Sequence, residues 1–442
     1  MSAIPVIAVF DIGKTNKKCF LFDEHYRIVL ERSQSFAEIV DEDGDACEDL
    51  QLLADWVQQV FDEVNALPQY LIQAVNFSAY GASFVHIDEA GNPVTPLYNY
   101  LKPYPQELQN AFYKKYGGED KLSLETASPV LGNLNSGLQL YRLKEQQPAV
   151  FKKISYSLHL PQYLGFLFTQ QPASDITSIG CHTSLWHFGK KRYHSWVTLE
   201  GVVSKLAPVV PHSEAFMMEK NKRRIKAGIG LHDSSAALIP YLSVFNDPFL
   251  LISTGTWCIS LNPFNDTPLT SSELKMDCLC YLAYNGRPVK ASRLFAGYEH
   301  ELQVRKLAEH FKVNVDVYKS VEFDHSWLTV TGKKLFSGDD LSVFENYSEA
   351  YHALMQSIID KQCVSSLLVM GNVKRIFVDG GFANNPVYLH LLADAFPRHE
   401  VFAASVSQAT AVGAALVMHD QWNPQPVPGD LVSLKFYSVR QR

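Results

Sequence analysis

Residues 13–15 read Gly-Lys-Thr, the ending of the P-loop motif that wraps nucleotide phosphates in backbone N–H groups. A P-loop would also have a glycine at position 8, where this chain has Ala8. The triplet lies between an almost wholly apolar run, residues 4–12, and a second strand-like run, residues 17–23, where a P-loop would begin a helix. The pattern therefore predicts a different phosphate-binding device, a tight turn between two strands.

A second strand–turn–strand pattern occupies residues 249–261, with Thr254, Gly255 and Thr256 in its turn. It repeats the layout of the first pattern in the other half of the chain. Two related halves of this kind are expected to face each other across a ligand-binding cleft.

A third glycine-containing turn, Gly380-Gly381, follows a strand-like run over residues 375–379. Apolar residues at helical spacing follow it over residues 388–396. Because glycine has no side chain, this turn allows the backbone to approach a flat ligand such as a nucleoside.

Asp233 stands directly before residues 234–239, where a helix is expected to begin. An aspartate at this place is expected to act as the N-cap of the helix. The positive end of the helix would also keep its carboxylate ionised at neutral pH. Asp233 is therefore a candidate for both a structural and a chemical role.

The elements that must position these residues alternate between strands and helices. Helices are predicted over residues 52–64, 135–146, 161–170 and 409–418, and further strands over residues 71–78 and 84–88. This alternation predicts an α/β architecture with mixed strand directions.

The composition is that of an ordinary globular protein. The 442 residues are 47% hydrophobic and 19% charged, which is enough for a large core and about two or three domains. The formal net charge of -7 removes the electrostatic drive toward nucleic acid or anionic membranes. The seven cysteines show no metal-ligand spacing, and no apolar run is long enough for a signal peptide or a membrane span. We expect a soluble cytoplasmic protein with reduced thiols.

The ordered motifs "DIGKTNKK", "GLHD", "STGTW" and "VDGGFANNP" resemble those of the FGGY carbohydrate kinases, members of the sugar kinase, heat-shock ATPase and actin superfamily. The resemblance runs from residue 6 to about residue 418. It implies an α/β fold of two actin-like (ribonuclease H-like) domains with an interdomain cleft. The implied domains are an N-terminal sugar- and phosphate-binding domain, residues 1–235, and a C-terminal nucleotide-binding domain, residues 236–442.

The resemblance also implies the residues that bind ATP and Mg²⁺. Asp11 is the implied metal residue, acting through water. The implied phosphate- and ATP-binding residues are Gly13, Lys14, Thr15, Asn16 and Lys18 in the first turn, Thr254, Gly255 and Thr256 in the second, and Gly380, Gly381, Asn384 and Asn385 in the third. Lys14 replaces a small polar residue of the family, so its ammonium either adds a cation near the phosphates or points to solvent.

In the family, the aspartate that matches Asp233 accepts the proton of the attacking sugar hydroxyl, which implies that Asp233 is the catalytic base. "GLHD" followed by "STGTW" is similar to the kinases of the 6-deoxy-ketohexoses rhamnulose and fuculose. Residues 78–94 resemble the rhamnulose kinase segment that approaches the sugar. The implied sugar-binding residues are Gly81, Ser83, His232 and Asp233. The alternative for His232 is a buried histidine with a structural role.

One segment departs from the family pattern. Residues 97–102 read Leu-Tyr-Asn-Tyr-Leu-Lys, where the family usually has an aromatic residue followed by an aspartate and an arginine. The expected reaction is phosphorylation by ATP of a ketose such as L-rhamnulose, and the departure leaves L-fuculose and xylulose as alternative sugars. A catalytically silent sugar or nucleotide sensor is a second class, although it would lose residues that this chain retains. An ATP-driven chaperone or filament protein is a third class, which has no need of the His-Asp pair.

We expect a monomer or homodimer with a small-molecule sugar as its partner.

Overall fold

The computed structural model describes residues 3–329, 333–338 and 340–438. The strands are β1 (Ile4–Ile12), β2 (Lys17–Phe22), β3 (Ile28–Gln34), β4 (Ile39–Val40), β5 (Ala46–Cys47), β6 (Tyr70–Ala79), β7 (Phe84–Ile87), β8 (Tyr156–His159), β9 (Trp186–His187), β10 (Arg192–Tyr193), β11 (Ala215–Lys220), β12 (Arg223–Gly228), β13 (Leu231–His232), β14 (Phe249–Thr254), β15 (Cys258–Asn262), β16 (Cys278–Leu282), β17 (Pro288–Leu294), β18 (Arg375–Gly380), β19 (Glu400–Ser405) and β20 (Ser433–Tyr437).

The α-helices are α1 (Leu50–Asn65), α2 (Gln106–Lys115), α3 (Glu119–Thr126), α4 (Ser136–Gln146), α5 (Pro148–Lys153), α6 (Leu160–Thr169), α7 (Ile176–Ile179), α8 (Ser195–Leu199), α9 (Asp233–Val244), α10 (Ser271–Lys275), α11 (Ala296–Phe311), α12 (Tyr347–Leu367), α13 (Pro386–Ala395), α14 (Ala409–Leu416) and α15 (His419–Trp422). Short 3-10 helices cover Gly132–Leu134, Phe188–Lys190, Val202–Lys205, Val315–Ser320, His325–Leu328 and Gly381–Asn384. Within the described ranges, every helix is too short or too polar to cross a bilayer.

The chain divides into two compact units that are discontinuous in sequence. The first unit comprises Met1–Val244, Cys280–Arg287 and Ser407–Leu431. The second unit comprises Phe245–Leu279, Pro288–Val406 and Val432–Arg442. In this division the first unit includes the whole of α9, which continues to Val244, and the predicted boundary between residues 235 and 236 stays a prediction. The functions predicted for the two halves stay predictions.

The first unit is built on a sheet of strand order β11-β12-β6-β1-β2-β3, with β13 also paired to β6. Strands β1, β2 and β3 form an antiparallel meander. Strands β6, β12 and β13 continue the sheet in parallel, since β1, β12 and β13 all run parallel to β6. The first predicted strand–turn–strand unit is the β1–β2 hairpin.

The second unit repeats this arrangement in a sheet that includes the strand order β17-β15-β14-β18-β19-β20. Its hairpin is β14–β15, antiparallel, and β14 then pairs in parallel with β18, which pairs in parallel with β19. The predicted repeat is therefore present as two sheets of mixed direction, each with an antiparallel hairpin beside a parallel strand. The predicted α/β class is confirmed.

Helices cover the sheets because their apolar residues recur at helical spacing. In α1, the side chains of Leu53, Val57 and Phe61 are fully buried against the first sheet. Asp49 caps this helix by accepting the amide of Leu52 at 3.0 Å. In the second unit, α12 contributes most of one helix face to the core and packs against α11 and α13.

Close packing of α14 against α9 fixes the helix that begins at Asp233. A Cβ atom on Gly413 would lie 1.9 Å from the carbonyl oxygen of Ala236 in α9, so only glycine allows this approach. The buried Asn76 in β6 joins the same region, since its side chain donates to Ala414 O at 2.7 Å and accepts from Gly230 N at 3.2 Å. The segment that precedes Asp233 is thereby tied to both β6 and α14.

Candidate active site

Parallel strand ends bring Asp11 and Asp233 to one edge of the first sheet. Asp11 in β1 and Leu231 in β13 both lie in register with Ser78 in β6. Asp233 directly follows β13. Because the carboxyl ends of parallel strands meet at one sheet edge, the two carboxylates belong to one site.

The environment of Asp11 favours its protonated form when no cation is present. Burial raises the pKa of Asp11 to about 7, the negative charge of Asp233 adds to this effect, and the charge of Lys18 opposes it. Two carboxylates that repel each other in a partly buried site are oxygen ligands of the type that Mg²⁺ prefers. The donor set therefore fits a divalent cation.

The turn between β1 and β2 is tight. The amide of Gly13 donates to Asn16 O at 2.9 Å, and the side chains of Thr15 and Asn16 are exposed at its tip. Lys14 Nζ lies 2.6 Å from Glu38 Oε1, and Lys18 Nζ lies 3.6 Å from a carboxylate oxygen of Glu31. The predicted phosphate residues of this turn therefore share one short loop beside Asp11.

Asp233 was predicted to be the N-cap, one residue before the helix. In the structure it is the first residue of α9. Its Oδ1 accepts the amide of Ser234 at 2.6 Å and the hydroxyl of the same residue at 3.2 Å. The Asp233 side chain is 36% exposed, so a substrate can reach its carboxylate. These contacts fix the orientation of the carboxylate at the positive end of a helix.

His232 lies between two other residues of the predicted sugar site, Asp233 and Gly81. His232 Nε2 lies 3.3 Å from Asp233 Oδ1, and a Cβ atom on Gly81 would lie 2.4 Å from the same Nε2. Burial lowers the pKa of His232, which keeps the imidazole neutral. Gly81 is needed here because a side chain would displace the His232 ring.

Ser83, which was predicted to contact the sugar, is buried within the first unit. Its side chain is buried, its hydroxyl is 3.5 Å from Tyr98 O, and its carbonyl accepts the amide of Leu160 at 3.1 Å. The described contacts of Ser83 are thus with the protein, and its sugar contact stays a prediction.

In the second unit, the hydroxyl of Thr254 joins the second and third predicted turns. Thr254 Oγ1 donates to Asp379 O at 2.5 Å and accepts the amide of Phe382 at 2.9 Å. Gly380 has a φ of +86°, and a Cβ atom there would lie 2.0 Å from Thr254 O. Glycine at position 380 is therefore required by both the backbone conformation and the close approach of β14.

A cavity of about 750 Å³ opens beside these two turns. Its size is within the range of pockets that hold nucleotides and other small ligands. Of the predicted ATP residues of this unit, those that line it are Thr254, Gly255, Thr256, Gly381, Asn384 and Asn385. Asn385 is also structural, since its side chain caps α13 through Tyr388 N and donates to the hydroxyl of Tyr351 at 2.7 Å.

Sequence reasoning missed the opposite wall of this cavity. That wall is formed by α11 and by the 3-10 helix Val315–Ser320, and it includes Gly297, His300, Glu301, Arg305, Asp316, Tyr318 and Lys319. A Cβ atom on Gly297 would lie 1.8 Å from Gly255 O, so this glycine lets α11 approach the second turn. A lone glycine near a helix start carries no local signal of that contact.

The two hairpin-bearing sheets, the paired carboxylates of the first unit and the cavity of the second define a two-domain phosphotransferase of the sugar kinase type. The model of the FGGY family of carbohydrate kinases, N-terminal domain, matches residues 6–238, and the C-terminal domain model of the same family matches residues 246–327 and 345–426. The chain belongs to the FGGY family of carbohydrate kinases. The family uses ATP as its phosphate donor.

The chain is similar to characterised relatives over almost its whole length. It is 23% identical to a rhamnulokinase of Halalkalibacterium halodurans, over 91% of each chain. The fold matches that of a carbohydrate kinase from Novosphingobium aromaticivorans with a TM-score of 0.81 and 22% identity, over 99% of this chain and 95% of the other. It also matches a ligand-bound xylulose kinase from Lactobacillus acidophilus with a TM-score of 0.77 and 16% identity, over 98% and 94%. These neighbours confirm the predicted two-domain fold.

Proposed function

We propose that this carbohydrate kinase transfers the γ-phosphoryl group of ATP to a terminal hydroxyl of a ketose, with L-rhamnulose as the favoured acceptor. The observation that carries the proposal is the placement of Asp233. Its carboxylate is accessible, contacts His232 next to Gly81, and lies on the same sheet edge as Asp11 and the first turn.

Asp233 acts as the general base of the proposed reaction. Its carboxylate accepts the proton of the sugar hydroxyl while the hydroxyl oxygen forms a bond to the γ-phosphorus. The bond from that phosphorus to the β–γ bridging oxygen breaks, and ADP leaves with the electron pair. The contact with His232 Nε2 at 3.3 Å and the bonds from Ser234 hold the carboxylate in one orientation.

Asp11 is the proposed metal residue, together with water. Burial, and after it the negative charge of Asp233, raise the pKa of Asp11, which supports a cation beside its carboxylate. Mg²⁺, when bound there, would neutralise phosphate charge and orient the transferred group. The exposed Thr15 and Asn16 would contact the phosphates from the turn.

ATP is proposed to bind in the cavity of the second unit. Gly381 and Asn384 would border the adenine or ribose, and Gly255 and Thr256 would contact phosphate, since all four line the cavity. Thr254 and Gly380 are proposed to support ATP indirectly, because they hold the two turns together.

The choice of L-rhamnulose rests on two supports. The motifs "GLHD" and "STGTW" are similar to those of 6-deoxy-ketohexose kinases, and the relative of 23% identity is named a rhamnulokinase. L-Fuculose and xylulose are the competing acceptors, since one structural neighbour is a xylulose kinase.

A coupled assay of ADP release with L-rhamnulose, L-fuculose and D-xylulose, each with ATP and Mg²⁺, tests the proposal. We expect the highest kcat/KM with L-rhamnulose. A preference for either other ketose would correct the acceptor, and turnover of none of them would favour a silent sensor of the same fold.

A further inference from the structure

Lys14 forms an ordered ion pair at the tip of the first turn. Lys14 Nζ lies 2.6 Å from Glu38 Oε1, and the two side chains are 27% and 44% exposed. An ion pair of this exposure contributes little to stability, about 1 kcal/mol or less. Stability alone therefore does not account for an ion pair at this turn, beside the proposed catalytic carboxylates.

The ammonium of this pair lies against an aromatic wall next to the residues around Asp233. Lys14 Nζ is 5.8 Å from the ring centroid of Tyr80 and 6.0 Å from that of Tyr100, and these two rings meet edge to face. Tyr80 directly precedes Gly81, which abuts His232. The pair thus borders the proposed acceptor site from the side of the first turn.

A buried network fixes the backbone from which Lys14 projects. Lys17 Nζ donates to Lys14 O at 3.0 Å and pairs with Glu48 at 2.6 Å, with both charged side chains almost fully buried. Glu48 also accepts the hydroxyl of Tyr80 at 3.0 Å. The turn and the aromatic wall are therefore held by the same carboxylate, which limits the movement of Lys14.

The nearby Lys102 cannot supply a charge to a sugar. Its ammonium lies 2.5 Å from Asp41, 2.8 Å from Asp43 and 3.2 Å from Asp45, and its side chain is only 3% exposed. Lys102 thus neutralises an acidic loop, and in the segment 97–102 the residue facing Lys14 is the aromatic Tyr100.

We propose that Lys14 and Glu38 recognise hydroxyl groups of the ketose, away from the hydroxyl that is phosphorylated. The ammonium has three donors and the carboxylate two acceptor oxygens, so each can bind a sugar hydroxyl while their mutual contact persists. The partly exposed ring of Tyr100 offers an apolar face for sugar C–H groups. This inference rests on the proposed kinase function and gives Lys14 a task other than the predicted phosphate contact.

The variants Lys14→Met and Glu38→Gln test the inference by steady-state kinetics on the ketose that the parent phosphorylates best. We expect each to raise the KM for that ketose about 10-fold or more, with the KM for ATP within about twofold of the parent. The exchanged pair Lys14→Glu with Glu38→Lys should restore the ion pair but not the ketose KM, because the donor and acceptor positions are reversed.

Lys220→Met is the matched control. Lys220 pairs with Asp62 at 2.7 Å with similar exposure, and it lies in the β11–β12 turn at the amino end of the parallel strands, opposite the Asp233 edge. We expect parent-like kinetics for this control.

A raised ATP KM in Lys14→Met, or recovery of the ketose KM in the exchanged pair, would overturn the inference. Parent-like kinetics in both Lys14→Met and Glu38→Gln would also overturn it. A parent that phosphorylates no ketose would instead overturn the proposed function on which the inference rests.

Discussion

At the scale of single residues, Asp233 combines a structural position with a proposed role as the general base. It begins α9, accepts two hydrogen bonds from Ser234 and contacts His232, yet its carboxylate remains accessible. Substitution by asparagine separates the two roles, because asparagine keeps the shape and the hydrogen-bond acceptor but cannot take up a proton.

We expect Asp233→Asn to lower kcat by about 10² to 10⁴ while ATP binding and Tm stay close to those of the parent. Single-turnover kinetics and calorimetric titration with ATP would measure the two effects. Asp49→Asn is the matched control, since Asp49 caps α1 outside the site and asparagine caps equally well. A near-parental kcat for Asp233→Asn would show that another group removes the proton.

His86 carries a residue-scale prediction on pH. It is fully buried with Nδ1 2.8 Å from Ser157 Oγ, and burial lowers the pKa of His86 to about 3. Below the ordinary histidine pKa of about 6.5, the imidazole of residue 86 binds a proton in the unfolded chain but not in the folded chain. The buried histidine therefore stabilises the folded protein less as the pH falls.

We expect His86→Gln to be less stable than the parent at pH 7 and the difference in free energy of unfolding to shrink by about 2–3 kcal/mol by pH 4.5. Urea denaturation at both pH values would measure this. The exposed His25 is the control, since substitutions at the surface change stability little, so His25→Gln should follow the parent at both pH values. A constant difference for His86→Gln would mean that the imidazole is protonated in the folded protein.

At the scale of elements, glycines decide how closely turns and helices approach. Gly380 and Gly381 are neighbours in one turn, but a Cβ atom would lie 2.0 Å from Thr254 O at the first position and 3.9 Å at the second. The two glycines that the sequence treats as equivalent therefore have different tolerance to a side chain.

We expect Gly380→Ala to raise the KM for ATP at least about 10-fold and to lower Tm, because the new methyl group separates β14 from β18. Gly381→Ala should keep Tm near that of the parent, because its methyl group would lie 3.9 Å from Thr254 O. The KM for the ketose should change little in either variant. Equal losses of Tm in the two variants would argue against this description of the turn.

Gly413 gives a second prediction for elements, since a side chain there would push against Ala236 in α9. We expect Gly413→Val to shift the start of α9 and to lower kcat by at least about 10-fold, together with Tm. Gly429→Val is its control in the same unit, because a Cβ atom at Gly429 meets no atom within 4 Å. Parent-like kcat in a folded Gly413→Val protein would show that α9 tolerates the displacement.

The elements that the sequence predicted are those with local signals. The two hairpins, α1, α4, α6 and the start of the turn at Gly380 follow from apolar periodicity and from glycine in short segments. The wall formed by α11 and the lysine inside the loop of Asp41 depend on contacts between distant segments. Periodicity contains no record of those contacts, so they became visible only in the structure.

At the scale of the whole molecule, the two units are proposed to bind different substrates. We expect ATP with Mg²⁺ to slow amide hydrogen exchange in the β14–β15 turn and in Gly381–Asn384, within the unit that holds the cavity. The ketose should slow exchange around Gly81 and at the start of α9. The pattern is measured by mass spectrometry with each ligand alone. Protection of the cavity by the ketose alone, or of Gly81 and the start of α9 by ATP alone, would contradict the assignment of substrates to units.

The discontinuity of the first unit also affects how the protein is made. The ribosome releases β1, β6 and α9 early, but α14, which packs on α9 through Gly413, belongs to Ser407–Leu431 and is synthesised much later. During the interval, the surface of α9 that faces α14 is uncovered on the nascent chain. The first unit is thus the first to be synthesised but among the last to be completed. Until α14 is made, we expect chaperones to bind the uncovered apolar surface of α9.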